Sequence, residues 1–309
     1  MPFPTKHPMD LDCIIIGGGP AGLTAATYLR RMHRRVAVFD DGRSRARWIP
    51  GTHNCPGFPL GVSGDDLLRR LRDQAGTYGT TVLPIRIGSL QQTTGGWRAE
   101  ADGGQWCAPS VLLATGVVDR LPALSSGDPE DALRKGSLRS CALCDGYEAT
   151  DRRIAVVGPL SRAVPHARYL TTFSADIAVA PTDEGDAHEL AALDTGGLVI
   201  LPTLQRLAWK GEAWEVTDMR GNTQQFDLVY AAMGAPARGD LASSVGALVD
   251  TEGAVLTNAH METTCPGLYA IGDVVTDLNQ IAVAFGHAAI AASAIHRALP
   301  IAPRLRDTR

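Results

Sequence analysis

No surplus of basic residues marks this sequence. Its 29 Lys and Arg stand against 33 Asp and Glu, a formal charge of −4 over 309 residues. That balance offers no electrostatic footprint for nucleic acid or for an anionic membrane. A long hydrophobic run is missing as well. The longest apolar stretch, Ile281 to Ile295, is interrupted by His287 and falls short of the roughly 20 residues of a spanning helix. The opening residues, MPFPTKHPMD, lack the apolar h-region of a secretory signal. These absences predict a cytoplasmic protein with no membrane or nucleic-acid partner. Cysteine is sparse: of six, Cys13, Cys55, Cys107 and Cys265 are scattered, while Cys141 and Cys144 form a C-x-x-C. A secreted disulfide framework would be denser and the chain shorter. A structural zinc site wants a second C-x-x-C or a paired His, so no metal is expected. Cys13 lies in an apolar run and reads as a small core residue.

What is present is the composition of a globular protein, 45% hydrophobic and 20% charged, in a chain long enough for two domains. Residues 11–41, LDCIIIGGGPAGLTAATYLRRMHRRVAVFDD, read as strand, glycine turn, helix, strand. Ile14, Ile15 and Ile16 form the continuous apolar run of a strand buried on both faces. Gly17, Gly19 and Gly22 complete G-x-G-x-x-G around Pro20 and Ala21. The first glycine permits the tight turn, the second lets a pyrophosphate approach the backbone, and the third allows close helix–strand packing. The helix that opens there presents free N–H groups and a positive dipole end to phosphate. Asp40 closes the second strand, at about the 20-residue distance where an acid binds ribose hydroxyls. A merely structural tight turn would not account for Asp40.

Near the other end, CPGLYAIGDVV (265–275) resembles the second FAD signature of flavoproteins with two dinucleotide domains. In that signature the acid after the glycine bonds the ribityl chain, which gives Gly272 and Asp273 this place. The following small-residue-rich segment reads as an amphipathic helix. By the same resemblance its start, at Gln280 and Ile281, faces the flavin pyrimidine. VLLATGVVDRLPAL (111–124) and LVYAAMGAPARGDL (228–241) look like the exit from the FAD domain and the return to it. The fold class expected is α/β, with two Rossmann-like dinucleotide-binding domains, the second inserted into the first. The boundaries read as 1–119 and 241–309 for the FAD domain and 120–240 for the insertion. Gly17 recurs as Gly158, so the two βαβ units form an internal repeat.

Taken together, IIIGGGPAGLTAA, THNCPGFPLGVSGDDL, LLATG, CALCDGYE, MGAP and GLYAIGDV resemble the low-molecular-weight thioredoxin reductases along nearly the whole chain. The resemblance implies bound FAD and a redox disulfide. Cys144 takes the place of the thiol nearest the flavin and Cys141 that of the interchange thiol. Asp145 matches the acid that exchanges a proton with the leaving thiol. Asn54, Gly116 and Gln280 match residues around the flavin. Cys55 replaces a usual aromatic and Asn279 a common Arg. Cys55 reads as a buried bystander with a third thiol near the flavin as the alternative, and His287 as a polar helix residue with a proton acceptor as the alternative. The resemblance further implies a thioredoxin-like protein or a small disulfide or dithiol as substrate, and a homodimer.

One part of the pattern is missing. Relatives that use NADPH carry a second glycine-rich turn in the inserted domain and basic residues after its next strand. Here the turn reads VVGPLSRA. Leu160 stands where glycine admits the pyrophosphate, and Pro159 removes an N–H donor. Past the strand come Asp183, Glu184, Asp186 and Glu189, with no Arg or Lys. NADPH use is therefore doubtful. One reading is an FAD-dependent disulfide oxidoreductase fed by a small dithiol, a protein donor or a second flavin in the altered groove. Another is a dithiol oxidase that passes electrons to oxygen, and a third is an NADPH thioredoxin reductase with a divergent site. A non-catalytic flavin-binding sensor stands outside these, but it has no need of Cys141, Cys144 and Asp145.

Overall fold

The computed structural model describes residues 11–185, 195–301 and 303. Contacts divide the chain into two compact units. One takes in the described residues of Met1–Ala46, Asp66–Val117 and Ala237–Arg309, and the other those of Arg47–Asp65 and Val118–Pro236. The second thus interrupts the first. The segment Arg47–Asp65, read from the sequence as part of the FAD domain, clusters with the second unit.

The first unit opens with β1 (Cys13–Ile16), α1 (Pro20–Arg31) and β2 (Val36–Phe39). Then follow α2 (Gly64–Thr77), β3 (Thr81–Leu83), an antiparallel sheet of β4 (Ser89–Thr93), β5 (Gly96–Ala101) and β6 (Gly104–Ala108), and β7 (Ser110–Leu113). The second unit begins with α3 (Pro129–Arg134), β8 (Leu138–Arg139) and the single turn α4 (Ala142–Asp145). Its βαβ unit is β9 (Ile154–Gly158), α5 (Leu160–Leu170) and β10 (Ile177–Pro181). After β11 (Val199–Ile200) come antiparallel β12 (Leu204–Trp209), β13 (Trp214–Asp218) and β14 (Thr223–Phe226), and then β15 (Leu228–Ala231). The chain returns to the first unit with β16 (Leu268–Ala270) and α6 (Ile281–Ala298). The parallel sheets run β16-β7-β1-β2-β3 and β11-β10-β9-β15-β8, so each unit is Rossmann-like, centred on the strand before its repeat glycine.

Both central strands are apolar throughout because both of their faces are covered. In β1, Ile14 and Ile16 pack with Phe39, Trp97 and Leu113. Cys13 and Ile15 alternate to the other face, with Ala25, Ala26 and Leu29 of α1 and Ala288, Ala291 and Ala292 of α6. In β9, Ala155 and Val157 meet Trp214 and Phe226, and Ile154 and Val156 meet Ala163, Val164 and Ala167 of α5. Truncating one of these isoleucines to Ala costs about 2–5 kcal/mol.

The packing accounts for the composition of α6. Its 18 residues, His287 among them, are long and apolar enough, by length and composition, to cross a bilayer. The apolarity has a local cause: Ala288, Ala291, Ala292 and Ile295 are fully buried in the layer shared with α1. Small side chains there let two helices approach closely.

Candidate redox site and nucleotide turns

The turn after β1 is made of close approaches. Gly17 has φ +111°, and a Cβ on it would lie 2.2 Å from Ala114 O. A Cβ on Gly22 would lie 2.0 Å from Gly17 O. No larger residue closes this turn. Gly19 is the N-cap of α1, with no side chain capping it, Pro20 at the first helical position and no acid in the first turn. The helix therefore leaves its positive end for an anion. Asp40 is buried; its carboxylate accepts from Gly42 N at 3.1 Å and pairs with Arg72 at 3.2 Å. Beside it opens a cleft of about 330 Å³ lined by Asp40, Asp41, Gly42, Arg72, Val82 and Pro84.

The same unit brings the other predicted residues together. Arg238 N donates to Gly116 O at 2.9 Å, tying the loop after β7. Gly272 follows β16 so closely against α1 that a Cβ would lie 3.0 Å from Ala21 Cβ. Its N–H donates to His287 Nδ1 at 3.3 Å, and Asp273 lies 3.6 Å from Arg45 Nη1. Accepting at Nδ1 requires the unprotonated ring nitrogen, and burial lowers the His287 pKa; both hold the imidazole neutral. His287 thus anchors the Gly272 loop. Gln280 is the N-cap of α6, ahead of Ile281, and donates through Nε2 to Asn279 O at 3.1 Å. Asn279 Oδ1 is buried and has no hydrogen-bond partner among the described residues. An open glycine turn, a buried acid at the ribose distance and an orphaned acceptor at the start of α6 fit a long dinucleotide such as FAD.

In the second unit, Cys141 and Cys144 are joined as a disulfide, with Cα atoms 5.3 Å apart. Cys141 is the N-cap of α4 and its carbonyl accepts from Cys144 N at 3.0 Å. Leu143 between them is exposed. Asn54, expected at the flavin, is carried by Arg47–Asp65 to this turn, where Nδ2 donates to Leu143 O at 3.4 Å. Cys55 is buried, and burial pushes its thiol pKa up, which suits an inert bystander.

Asp145 stands next to Cys144 with its side chain 29% exposed. Tyr230 Oη donates to Asp145 Oδ1 at 2.8 Å, and Arg139 Nη1 donates to Asp145 O at 2.6 Å. Burial raises the Asp145 pKa, while the Arg139 charge and the Tyr230 hydrogen bond oppose the rise. Tyr230 and Arg139 escaped sequence reasoning. The available signal was a single hydroxyl in the apolar strand LVYA, which must find a partner when buried.

The second nucleotide turn differs from its expected form. The helix begins one position earlier than in the first unit: Pro159 is the N-cap of α5, and its carbonyl accepts from Ala163 N at 2.8 Å. Leu160 was expected to project its side chain at the pyrophosphate. Instead that side chain is 2% exposed and packs under the turn with Val156, Ala163 and Ala232. The reason is the earlier helix start, which turns this position toward the sheet. Leu160 N donates to Asp183 Oδ1 at 3.1 Å, so the exposed Asp183 sets its carboxylate at the start of the helix. Asp186 and Glu189 lie outside the described residues.

Comparison with known proteins agrees with this architecture. Residues 11–180 and 198–288 match the family model of the pyridine nucleotide-disulphide oxidoreductases. Thioredoxin reductase of Escherichia coli O157:H7 is 27% identical over 302 residues, covering 90% of this chain and 92% of its own. Among solved structures, the oxidoreductase from Agrobacterium tumefaciens superposes with a TM-score of 0.80 at 26% identity, covering 94% of this chain and 98% of that one. Thioredoxin reductase from Streptococcus pyogenes reaches 0.83 at 24% identity, with 94% and 98% covered, a likeness of fold. With one open dinucleotide turn and a cysteine pair in the interrupting unit, the chain belongs to the pyridine nucleotide-disulphide oxidoreductase family, as an FAD-dependent enzyme acting on a disulfide and related to the low-molecular-weight thioredoxin reductases.

Proposed function

We propose that this enzyme exchanges two electrons between FAD and the Cys141–Cys144 pair, and through that pair with a disulfide or dithiol substrate, without NADPH as its working donor. The observation that carries the second half is the Leu160 N–H bonded to Asp183 at 3.1 Å. In an open turn the first N–H groups of the helix wait for a phosphate. Here one is spent on a carboxylate of the chain itself, Pro159 supplies none, and a dinucleotide phosphate would approach an existing negative charge. A second flavin would meet the same filled turn, so the groove is assigned no cofactor.

In this reading Gly17, Gly19, Pro20, Ala21 and Gly22 hold the pyrophosphate, and Asp40 the ribose. Gly116, Gly272, Asp273, Gln280 and Ile281 hold the flavin end. Asn54 steadies the cysteine turn. FAD, when bound, supplies a two-electron store. Cys141 is the interchange thiol and Cys144 its resolving partner: the Cys141 thiolate attacks a substrate disulfide and releases one substrate thiolate. Cys144 then displaces the second and re-forms the Cys141–Cys144 bond. Asp145 gives or takes the thiol proton. The name of the relatives, thioredoxin reductase, supports a thioredoxin-like protein or a small disulfide as partner, and a cytoplasmic homodimer is the form in which we expect it.

Anaerobic stopped-flow reduction tests the proposal. Dithiothreitol should bleach the flavin through Cys141–Cys144, and NADPH should do so about tenfold to a thousandfold more slowly, the loss expected from a single like-charge contact of about 1 kcal/mol in water to about 4 kcal/mol in a partly buried site. Rapid bleaching by micromolar NADPH would sink the donor assignment. Unchanged bleaching by dithiothreitol in Cys144→Ser would sink the disulfide assignment.

A further inference from the structure

We infer that Tyr230 and Arg139 are positioning residues that hold the Asp145 carboxyl group beside the Cys141–Cys144 pair. The inference rests on the reading of Asp145 as the proton carrier, and it adds two residues that no motif points to.

Strand register brings them together. β8 and β15 are parallel neighbours, with Arg139 directly opposite Tyr230. Tyr230 is fully buried, and its Oη lies 2.8 Å from Asp145 Oδ1 and 3.2 Å from Asp145 O. Arg139 is anchored by Nε donating to Gly136 O at 2.7 Å. Its Nη1 reaches Asp145 O at 2.6 Å, Tyr230 Oη at 3.3 Å and Asp145 Oδ1 at 3.8 Å. From α5, the His166 ring packs 5.6 Å from the Tyr230 ring. Glu148 acts on Asp145 from the following turn, raising its pKa. Among the described residues, the carboxyl is thus faced by one cation, one phenol with an imidazole behind it, and one carboxylate.

The arrangement holds a carboxyl group in place without consuming it. A hydroxyl in a strand core costs about 1–3 kcal/mol unless it is paired; Phe in β15 would avoid that cost. Tyr230 instead spends its donor on one carboxylate oxygen, and Arg139 holds the main chain of the same residue. The Asp145 side chain still keeps 29% of its surface exposed, enough to exchange a proton. In the step concerned, an incoming thiolate bonds to Cys141 Sγ and the Sγ–Sγ bond breaks with its electron pair on Cys144. Asp145 protonates that thiolate. The reductant's second thiolate then attacks the mixed disulfide, leaving with both reductant sulfurs joined and Cys141 reduced.

The test is the pH dependence of Cys141–Cys144 reduction by dithiothreitol, followed by acid quench, alkylation and mass spectrometry, with no flavin signal involved. Rates are divided by the dithiothreitol thiolate concentration. For the wild type the quotient should fall with rising pH as Asp145 loses its proton. Tyr230→Phe removes a hydrogen bond that favours the carboxylate, and Arg139→Gln removes the neighbouring positive charge. Each should move the fall to higher pH, with a gain of about threefold at one pH unit above the wild-type midpoint. Asp145→Asn should abolish the fall. If the Asp145→Asn profile keeps the wild-type fall, the proton-carrier reading fails. If Asp145→Asn loses it while Tyr230→Phe and Arg139→Gln superimpose on wild type, the positioning inference fails. Should Tyr230→Phe not fold, Arg139→Gln decides.

Discussion

Gly17 and Gly158 end the central strands of two parallel sheets and begin the same strand–turn–helix connection, yet the two turns are built differently. After Gly17 the chain takes Gly18 and Gly19 before α1, and leaves the helix end uncapped by any side chain. After Gly158 it takes Pro159 alone, starts α5 at Leu160, buries the Leu160 side chain and seals the first N–H with Asp183. The third pattern position, Gly22 in one unit and Ala163 in the other, stays within what such turns accept. The difference lies in the second position. A glycine there keeps space for a ligand, while a leucine uses that residue as core. On the proposed reading a dinucleotide turn is retired without loss of the fold, because the strand, helix and sheet around it are stabilised by packing.

The sharpest way to break this comparison is to exchange the roles of the two second positions. Leu160→Gly removes a side chain that is part of the core and should destabilise the second unit by about 3 kcal/mol or more, from cavity formation and lost helix propensity. It should not gain NADPH reduction, because Asp183 still occupies the N–H. Chemical denaturation followed by the fluorescence of Trp209 and Trp214 reads the first effect. Equal stability to wild type would show that Leu160 is not load-carrying in the core.

Gly19→Val should do the reverse. A Cβ at Gly19 would meet Ser44 Oγ at 3.2 Å, the end of a side chain that can rotate away, so the fold should survive. The added bulk faces the place kept for the pyrophosphate, and FAD affinity should drop about a hundredfold, or about 2.7 kcal/mol. Asp273→Ala should weaken loading less. Flavin content and the circular dichroism spectrum of the purified proteins separate these outcomes. A yellow Gly19→Val protein would refute the cradle assignment.

How far the sequence was legible follows the same contrast. The continuous apolar runs of β1 and β9, the glycine turn and the C-x-x-C were readable because they depend on residues adjacent in sequence. The departure of the second turn from the glycine pattern was readable too, from Pro159 and Leu160. Its mechanism was not, since the direction of the Leu160 side chain depends on where α5 starts, and Asp183 reaches Leu160 N from the far end of β10. Tyr230 and Arg139 meet only through the register of β8 on β15, which no local pattern specifies. Asn54 could be read from its motif, but its hydrogen bond to Leu143 O and the clustering of Arg47–Asp65 with the second unit are properties of the whole chain.

The smallest effect expected concerns Asp183 itself, and it separates charge from hydrogen bonding in the closed turn. Asp183→Asn retains an acceptor oxygen for Leu160 N, so it should stay within about 0.5 kcal/mol of wild type, the usual range for an exposed substitution. Asp183→Ala loses the acceptor as well and should cost about 1 kcal/mol, the typical worth of a helix N-terminal cap. What the charge contributes through the helix dipole is a few tenths of that figure and is screened by salt. The gap between wild type and Asn should therefore close in concentrated salt, while the gap between Asn and Ala should persist. Neither variant should become a rapid NADPH oxidant, because Pro159 still withholds a donor and the early start of α5 still places the buried Leu160 at the second position. If Asp183→Ala alone restores fast reduction by NADPH, then the carboxylate is the whole gate and the backbone of the second turn is as receptive as that of the first.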